Sequence, residues 1–237
     1  MSSSRHDAQL LVDDAKRIFG NRLLTIVTYG TSESGDDRTA PEKVTCMVLV
    51  RSPTADDLDG CAGRVRHWHM HGLATPLIVP EEEFYRSLDA FPLEYGAIVD
   101  HHEVVFGADL LADATVLPTD LRRAVATKVK SHLLHLRQGF VDSENSPARV
   151  TDMLHAAAPA LAALLERVAR LHGAVADRHD ESVRAGARLA GLSDSTVSAV
   201  LALEHGDALT SPDGARLFHD YLHAVEQLAV FVDTWRH

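Results

Sequence analysis

Between residues 23 and 50 the chain reads LLTIVTYGTSESGDDRTAPEKVTCMVLV, two apolar runs rich in β-branched residues on either side of a polar segment. This is the pattern of two strands joined by a loop long enough to carry function. It restricts the fold strongly, because both runs must be buried in a sheet while the segment between them stays wet. The first run ends on Tyr29-Gly30-Thr31-Ser32. A glycine there lets the backbone approach a ligand closely, and small hydroxyl side chains such as those of Thr31 and Ser32 hydrogen-bond phosphate oxygens. The same residues also suit a plain strand-to-loop turn with capping hydroxyls.

The flanking sequence predicts a mixed α/β unit. Residues 7–19 place Leu10, Leu11, Ala15 and Ile18 at helical spacing before a Gly20-Asn21 stop. After the two strands, Leu58, Ala62, Val65 and Trp68 or His69 predict one helix over 55–71, ended by Gly72. A short strand is expected over 75–79, a helix with an acidic first turn over 81–88, and two further strands over 91–99 and 103–106. From Thr119 the texture changes. Leu121, Val125, Val129, Leu133, Leu136 and Phe140 recur at helical spacing, and Ser146-Pro147 opens an Ala/Leu-rich helix running to His172-Gly173, with Pro159 as the place for a kink. Further helices are expected over 181–190, 195–204 and 212–235. The fold class is therefore α/β (α+β): a mixed-sheet domain over 1–117, then an all-α helical bundle domain over 118–237.

Composition narrows the function classes. The chain has 237 residues, 46% hydrophobic and 24% charged, an ordinary globular balance with room for an adequate core. A formal net charge of −11 argues against general affinity for nucleic acid or anionic membrane. Cys46 and Cys61 are the only cysteines, and Cys46 falls within a strand-like run, so reduced thiols and the cytoplasm are expected. MSSSRHDAQ has no apolar signal core, and the longest apolar stretch, 156–165, is too short to span a bilayer and contains Pro159. Neither export nor membrane insertion is expected.

On the residues Thr28 to Asp36, TYGTSESGD, the chain resembles the Gly-Ser signature of the DNA polymerase β-like nucleotidyltransferases, a family that includes the aminoglycoside nucleotidyltransferases. The segment SLDAFPLEYGAIVDHHEVVFG from Ser87 to Gly107 is similar to bacterial nucleotidyltransferase-domain proteins. Leu121-Arg122, Leu136-Arg137-Gln138 and residues 164–173 are similar to their C-terminal helical part, so the resemblance extends over nearly the whole chain. It implies that Gly30, Thr31 and Ser32 hold the phosphates of a nucleotide, and that the next strand carries two Asp residues separated by one. Residues i and i+2 of a strand share a face, so two such carboxylates share magnesium ions. Here the corresponding positions are Thr45 and Met47. A hard cation gains little from a neutral hydroxyl and nothing useful from a thioether.

The resemblance implies further roles. A third carboxylate on a later strand serves as metal ligand or general base, and Glu94, in the run 91–99, takes that place; the plain alternative is a surface Glu. Asp36 and Asp37 are the remaining metal candidates, although adjacent residues on extended backbone point apart and a solvated turn suits them as well. Arg122, Lys130 and Arg137 fall on one helical face at spacings close to whole turns, placed to neutralise a triphosphate or simply to be a solvated stripe. His67 and His71 are one helical turn apart and suited to share a transition metal, but no third ligand, HExxH motif or Cys pair accompanies them, and incidental surface histidines are the plain reading, as for His132 and His135.

The expectation is a nucleotidyltransferase-fold protein whose metal-binding acids are lost, holding a nucleotide or similar small anionic ligand in an interdomain cleft. Two rivals stand beside it. One is an active transferase acting on a small hydroxylated acceptor, with Mg²⁺ held by Glu94 and Asp36 or Asp37; Mg²⁺ is a cofactor only in that case. The other is an interaction protein whose C-terminal helices, including residues 217–235, form a homodimer or partner surface.

Overall fold

The computed structural model describes residues 2–31, 43–174, 176, 178–209 and 211–235. The chain divides into two compact units, Met1–Leu117 and Pro118–His237.

In the first unit, helix α1 (Ser2–Phe19) leads through a tight turn, Gly20–Arg22, into β1 (Leu23–Thr31), and β2 (Val44–Val50) returns antiparallel beside it. Then come α2 (Ala55–Ala62), α3 (Val65–Met70), β3 (Leu77–Pro80), α4 (Glu81–Arg86), α5 (Pro92–Asp100) and β4 (His102–Gly107). The sheet order is β3-β2-β1-β4; β3 is parallel to β2 and β4 antiparallel to β1, so the sheet is mixed. Strand alternation divides β2 between two cores. Cys46, Val48 and Val50 pack with Ile26 against Leu11, Val12, Ala15 and Phe19 of α1 and against Trp68 of α3. Met47 and Leu49 pack with Val27 against Phe84 of α4 and Tyr95 and Ile98 of α5.

Two expectations are corrected here. The helix foreseen over 55–71 is two helices, broken at Gly63-Arg64. The run 91–99 is not a strand but α5: Pro92 stands in its first turn, where a fixed φ and a missing N–H cost nothing. Its exposed residues, Phe91, Glu94, Ala97 and Asp100, recur every third position, a helical and not an alternating period.

Polar groups lock α1 and α2 in place. Buried Asp14 accepts from Arg64 Nε at 2.8 Å, Trp68 Nε1 at 3.0 Å and Arg17 at 3.0 Å, tying α1 to α3. Arg22 grips Asp57 through two nitrogens at 2.5 and 2.7 Å, and Asp57 in turn accepts from Thr54 N in a capping box that starts α2. The hydrogen bonds from Arg22 first, then from Thr54, hold the Asp57 carboxyl well below the usual carboxylate range.

The second unit contains α6 (Pro118–Asp142), α7 (Pro147–Leu171), α8 (His179–Leu189), α9 (Asp194–Glu204) and α10 (Ser211–Thr234). Helix α7 packs against all four others, and Pro159 lies on its exposed side inside a continuous helix. A β-carbon on Gly186 of α8 would lie 1.9 Å from the Leu165 carbonyl oxygen of α7, so the two backbones meet where only glycine fits. His132, expected at the surface, is half buried and its Nε2–H donates at 3.1 Å to the Tyr221 hydroxyl oxygen, whose own proton goes to the Ala157 carbonyl at 2.8 Å. One chain of hydrogen bonds thereby joins α6, α10 and α7. Where α7, α8 and α9 converge, His179 donates to Glu166 at 3.2 Å and to Glu204 at 3.1 Å. Among the described residues no helix is long and apolar enough to cross a membrane.

Three outcomes are expected of the full chain. Asp14→Ala strands the buried indole N–H of Trp68 and should lower unfolding free energy in urea by about 1–3 kcal/mol, while Arg17→Ala, at the exposed end of the same cluster, should change it by less than about 0.5 kcal/mol. Gly186→Ala should destabilise by about 1–3 kcal/mol, opposite in sign to the usual gain of replacing glycine in a helix; unchanged or raised stability would refute the close backbone approach. Burial pushes the His179 imidazole down, but Glu204 and Glu166 outweigh it and raise it above its ordinary value. Its stabilising contribution is therefore complete below about pH 6.5 and lost as pH rises through the raised value. Thermal melts from pH 6 to 8 should show a slope that His179→Gln flattens.

Candidate functional site

The ends of three strands meet at one rim of the sheet. Tyr29 of β1 pairs with Thr45 of β2 on one side and His102 of β4 on the other; Thr28 pairs with Cys46 and Glu103. The register between β1 and β2 slips between Tyr29 and Thr31, leaving Gly30 as the extra residue of a bulge. Bulges with glycine are places where a strand is re-aimed and where another backbone or a ligand comes close. Thr45 Oγ1 donates to the Tyr29 carbonyl and so ties β2 to β1 beside the bulge. Val44 N donates to Gly72 O at 2.8 Å, and Ala74 N to Val44 O at 2.9 Å, which joins the turn after α3 to the start of β2.

Gly30 and Thr31 therefore stand at the end of β1, on this rim. Ser32, Asp36 and Asp37 lie outside the described residues. Met47 has no exposed surface: its side chain fills the core beneath α4 and α5. An Asp in its place would bury a charge among apolar groups, so the packing of this strand suits a thioether and not a metal ligand. The other side of β2 offers no acid either, since Val44, Cys46 and Val48 occupy it. Glu94 sits in the first turn of α5, exposed, where a carboxylate complements the helix N-terminus; it is not on a strand, which corrects the placement expected from sequence.

The four strands carry one acidic residue, Glu103 on β4, exposed and in register with Thr28. Sequence reading placed Glu103 on a strand but assigned the later-strand carboxylate to Glu94; the helical period of 91–100 was the signal that separates the two. Beside Glu103, His102 Nδ1–H donates to the Ile98 and Val99 carbonyls at 3.0 and 3.1 Å, closing the end of α5, and its Nε2 meets Asp109 Oδ1 at 3.1 Å. Burial pushes the Asp109 carboxyl up, but the His102 hydrogen bond and the Leu111 N–H outweigh it and hold it below its ordinary value. Burial pushes the Tyr29 hydroxyl up, with Cys46 and Tyr95 adding to it. The Cys46 thiol is pushed up to about 12 by burial, and Cys61 to about 11 by burial together with Asp57 and Asp14, so both remain protonated and inert as nucleophiles.

The basic stripe lies in the helical unit, and each member is engaged with α10. Arg122 donates to the Val232 carbonyl at 3.2 Å, Lys130 pairs with Asp233 at 2.7 Å, and Arg137 pairs with Glu226 at 2.7 Å. The two ion pairs are exposed on both partners and act as seams between α6 and α10. Among the described residues no three His, Cys, Asp or Glu side chains converge as a metal would require.

No protein-family model matches the chain, and no curated protein matches it in sequence. Among solved structures it is similar to spectinomycin adenyltransferase AAD(9) from Enterococcus faecialis, determined with ATP and spectinomycin, with 11% identity over 94% of this chain and 98% of that one and a TM-score of 0.57. It is also similar to a nucleotidyltransferase-like protein from Exiguobacterium sibiricum 255-15, with 15% identity over 95% of this chain and 74% of that one and a TM-score of 0.40. The chain thus has a nucleotidyltransferase-like fold, a mixed four-strand sheet accompanied by many helices.

Proposed function

We propose that this chain is a nucleotidyltransferase-fold protein without efficient nucleotidyl transfer, and that it binds a nucleotide or similar small anionic ligand at the rim where β1 ends. The observation that carries the reading is the pairing of a retained Gly30 bulge and Thr31 with a neighbouring strand whose positions 45 and 47 are a bonded hydroxyl and a buried thioether. Phosphoryl and nucleotidyl transfer rest on positioning and on neutralising charge at the reacting phosphate, normally with metal ions between carboxylates. Among the described residues this rim carries one strand-borne carboxylate, Glu103, and no pair of acids to hold two ions. The fold shared with an adenyltransferase solved with ATP makes an adenine or guanine nucleotide the first ligand class to try.

Calorimetric titration with ATP and with GTP, each with and without Mg²⁺, should show binding that does not require the metal, and Gly30→Val should weaken it by about tenfold or more. Incubation with ATP, Mg²⁺ and a hydroxylated acceptor such as spectinomycin should release no pyrophosphate. Magnesium-dependent release abolished by Glu94→Gln or Glu103→Gln would overturn the proposal in favour of an active transferase.

A further inference from the structure

The histidines at the end of α3 have no part in the ligand reading. Trp68 is fully buried and its indole N–H is held by Asp14, as is Arg64, so this short helix is pinned to α1. Buried Leu73, bonded back to the Trp68 carbonyl at 3.1 Å, fixes the turn that follows. His67 and His71 project from this fixed platform on the outer side, His67 half buried and His71 exposed. His71 Nδ1 lies 2.9 Å from the His67 carbonyl oxygen. A carbonyl only accepts, so Nδ1 carries the proton and the Nε2 lone pair is left outward. This is the arrangement of a ligating imidazole, whose second nitrogen is committed to a backbone carbonyl.

The two rings have centres 4.4 Å apart at an interplanar angle of 67°. With an ion about 2.1 Å from each ring nitrogen, ring centres fall roughly 4.5 Å apart for ligands at a right angle and roughly 5.3 Å apart for a tetrahedral pair. The observed spacing, in an edge-to-face contact of the two rings, lies nearer the right-angled value than the tetrahedral one. His69 is directed elsewhere, its Nε2 at 2.9 Å from Thr75 Oγ1.

From this geometry we infer that His67 and His71 form a two-imidazole chelate for a divalent transition-metal ion that accepts cis ligands at right angles, Cu²⁺ or Ni²⁺, with water completing the coordination. Imidazole ligands suit these ions, and tetragonal or octahedral geometry separates them from Zn²⁺. The site is independent of the nucleotide reading, and its test uses no nucleotide.

The test is titration of the full chain with CuCl₂, NiCl₂ and ZnCl₂ by calorimetry, with electron paramagnetic resonance of the Cu²⁺ form. The wild-type chain should bind one Cu²⁺ more tightly than its other histidines do, with a spectrum showing two nitrogen ligands, and should bind Ni²⁺ more tightly than Zn²⁺. His67→Ala and His71→Ala should each weaken that ion by about tenfold or more, because a chelate loses its second arm. His69→Ala should leave it unchanged. His71→Gln retains a donor for the His67 carbonyl while removing the ligand, so its loss of Cu²⁺ with an unchanged thermal melt separates ligation from misfolding. Affinity equal to wild type in His67→Ala or His71→Gln overturns the site, and tighter binding of Zn²⁺ than of Ni²⁺ overturns its right-angled geometry.

Discussion

Burial of β2 from four sides sets the terms for the rest of the sheet unit: β1 and β3 take its hydrogen bonds, α1 and α3 cover one face, and α4 and α5 cover the other. A strand so enclosed must be apolar along its whole inner length, and VTCMVLV is. Room for a carboxylate exists only where the enclosure ends, near Val44 and Thr45. A fold similar to that of an adenyltransferase solved with ATP is here stabilised around a strand packed on both faces. A fold by itself does not fix chemistry, since sites are grafted on shared scaffolds.

The helical unit is organised differently. Helix α7 is its axis, and the contacts that fix its neighbours differ in kind: a glycine that lets α8 touch backbone to backbone, a His132–Tyr221 hydrogen-bond chain toward α6 and α10, and the carboxylates of Glu166 and Glu204 around His179. Burial pushes His132 down and Tyr221 up, so both are neutral near pH 7 and the chain between them is one of dipoles. Net charge enters at the His179 junction, at the α6–α10 seams and at exposed pairs such as Arg123–Asp120 and Arg149–Glu144. Salt therefore screens the exposed pairs and leaves the His132–Tyr221 chain alone.

Much of this was legible in the sequence, and the residues show why. The strands over 23–31 and 44–50 follow from β-branched runs, and the helices after residue 118 from the regular recurrence of Val125, Val129 and Leu136. The run 91–99 misled because its apolar content is high enough to hide the period; the exposed residues at every third position and Pro92 in the first turn decide it. The break at Gly63 was hidden because the apolar face continues across it. At the rim, the glycine of the bulge and the neutral residues at positions 45 and 47 were readable from residue types alone. That Arg122, Lys130 and Arg137 are all engaged by α10 was not, because nothing in a helical stripe says which element will lie against it.

The Asp14 junction has a consequence for how the chain comes into being. Its partners Arg64 and Trp68 lie 50 and 54 residues further along the chain. Of its three partners only Arg17 is local, so a chain made as far as β2 holds the Asp14 carboxylate without the two groups that tie α1 to α3. Pairing of β1 with β2 closes a short loop, whereas the tie between α1 and α3 closes a long one and carries the larger entropic cost. Helix α1 thus precedes in the chain both groups that lock it to α3, and its place against α3 is fixed by contacts made across half the unit.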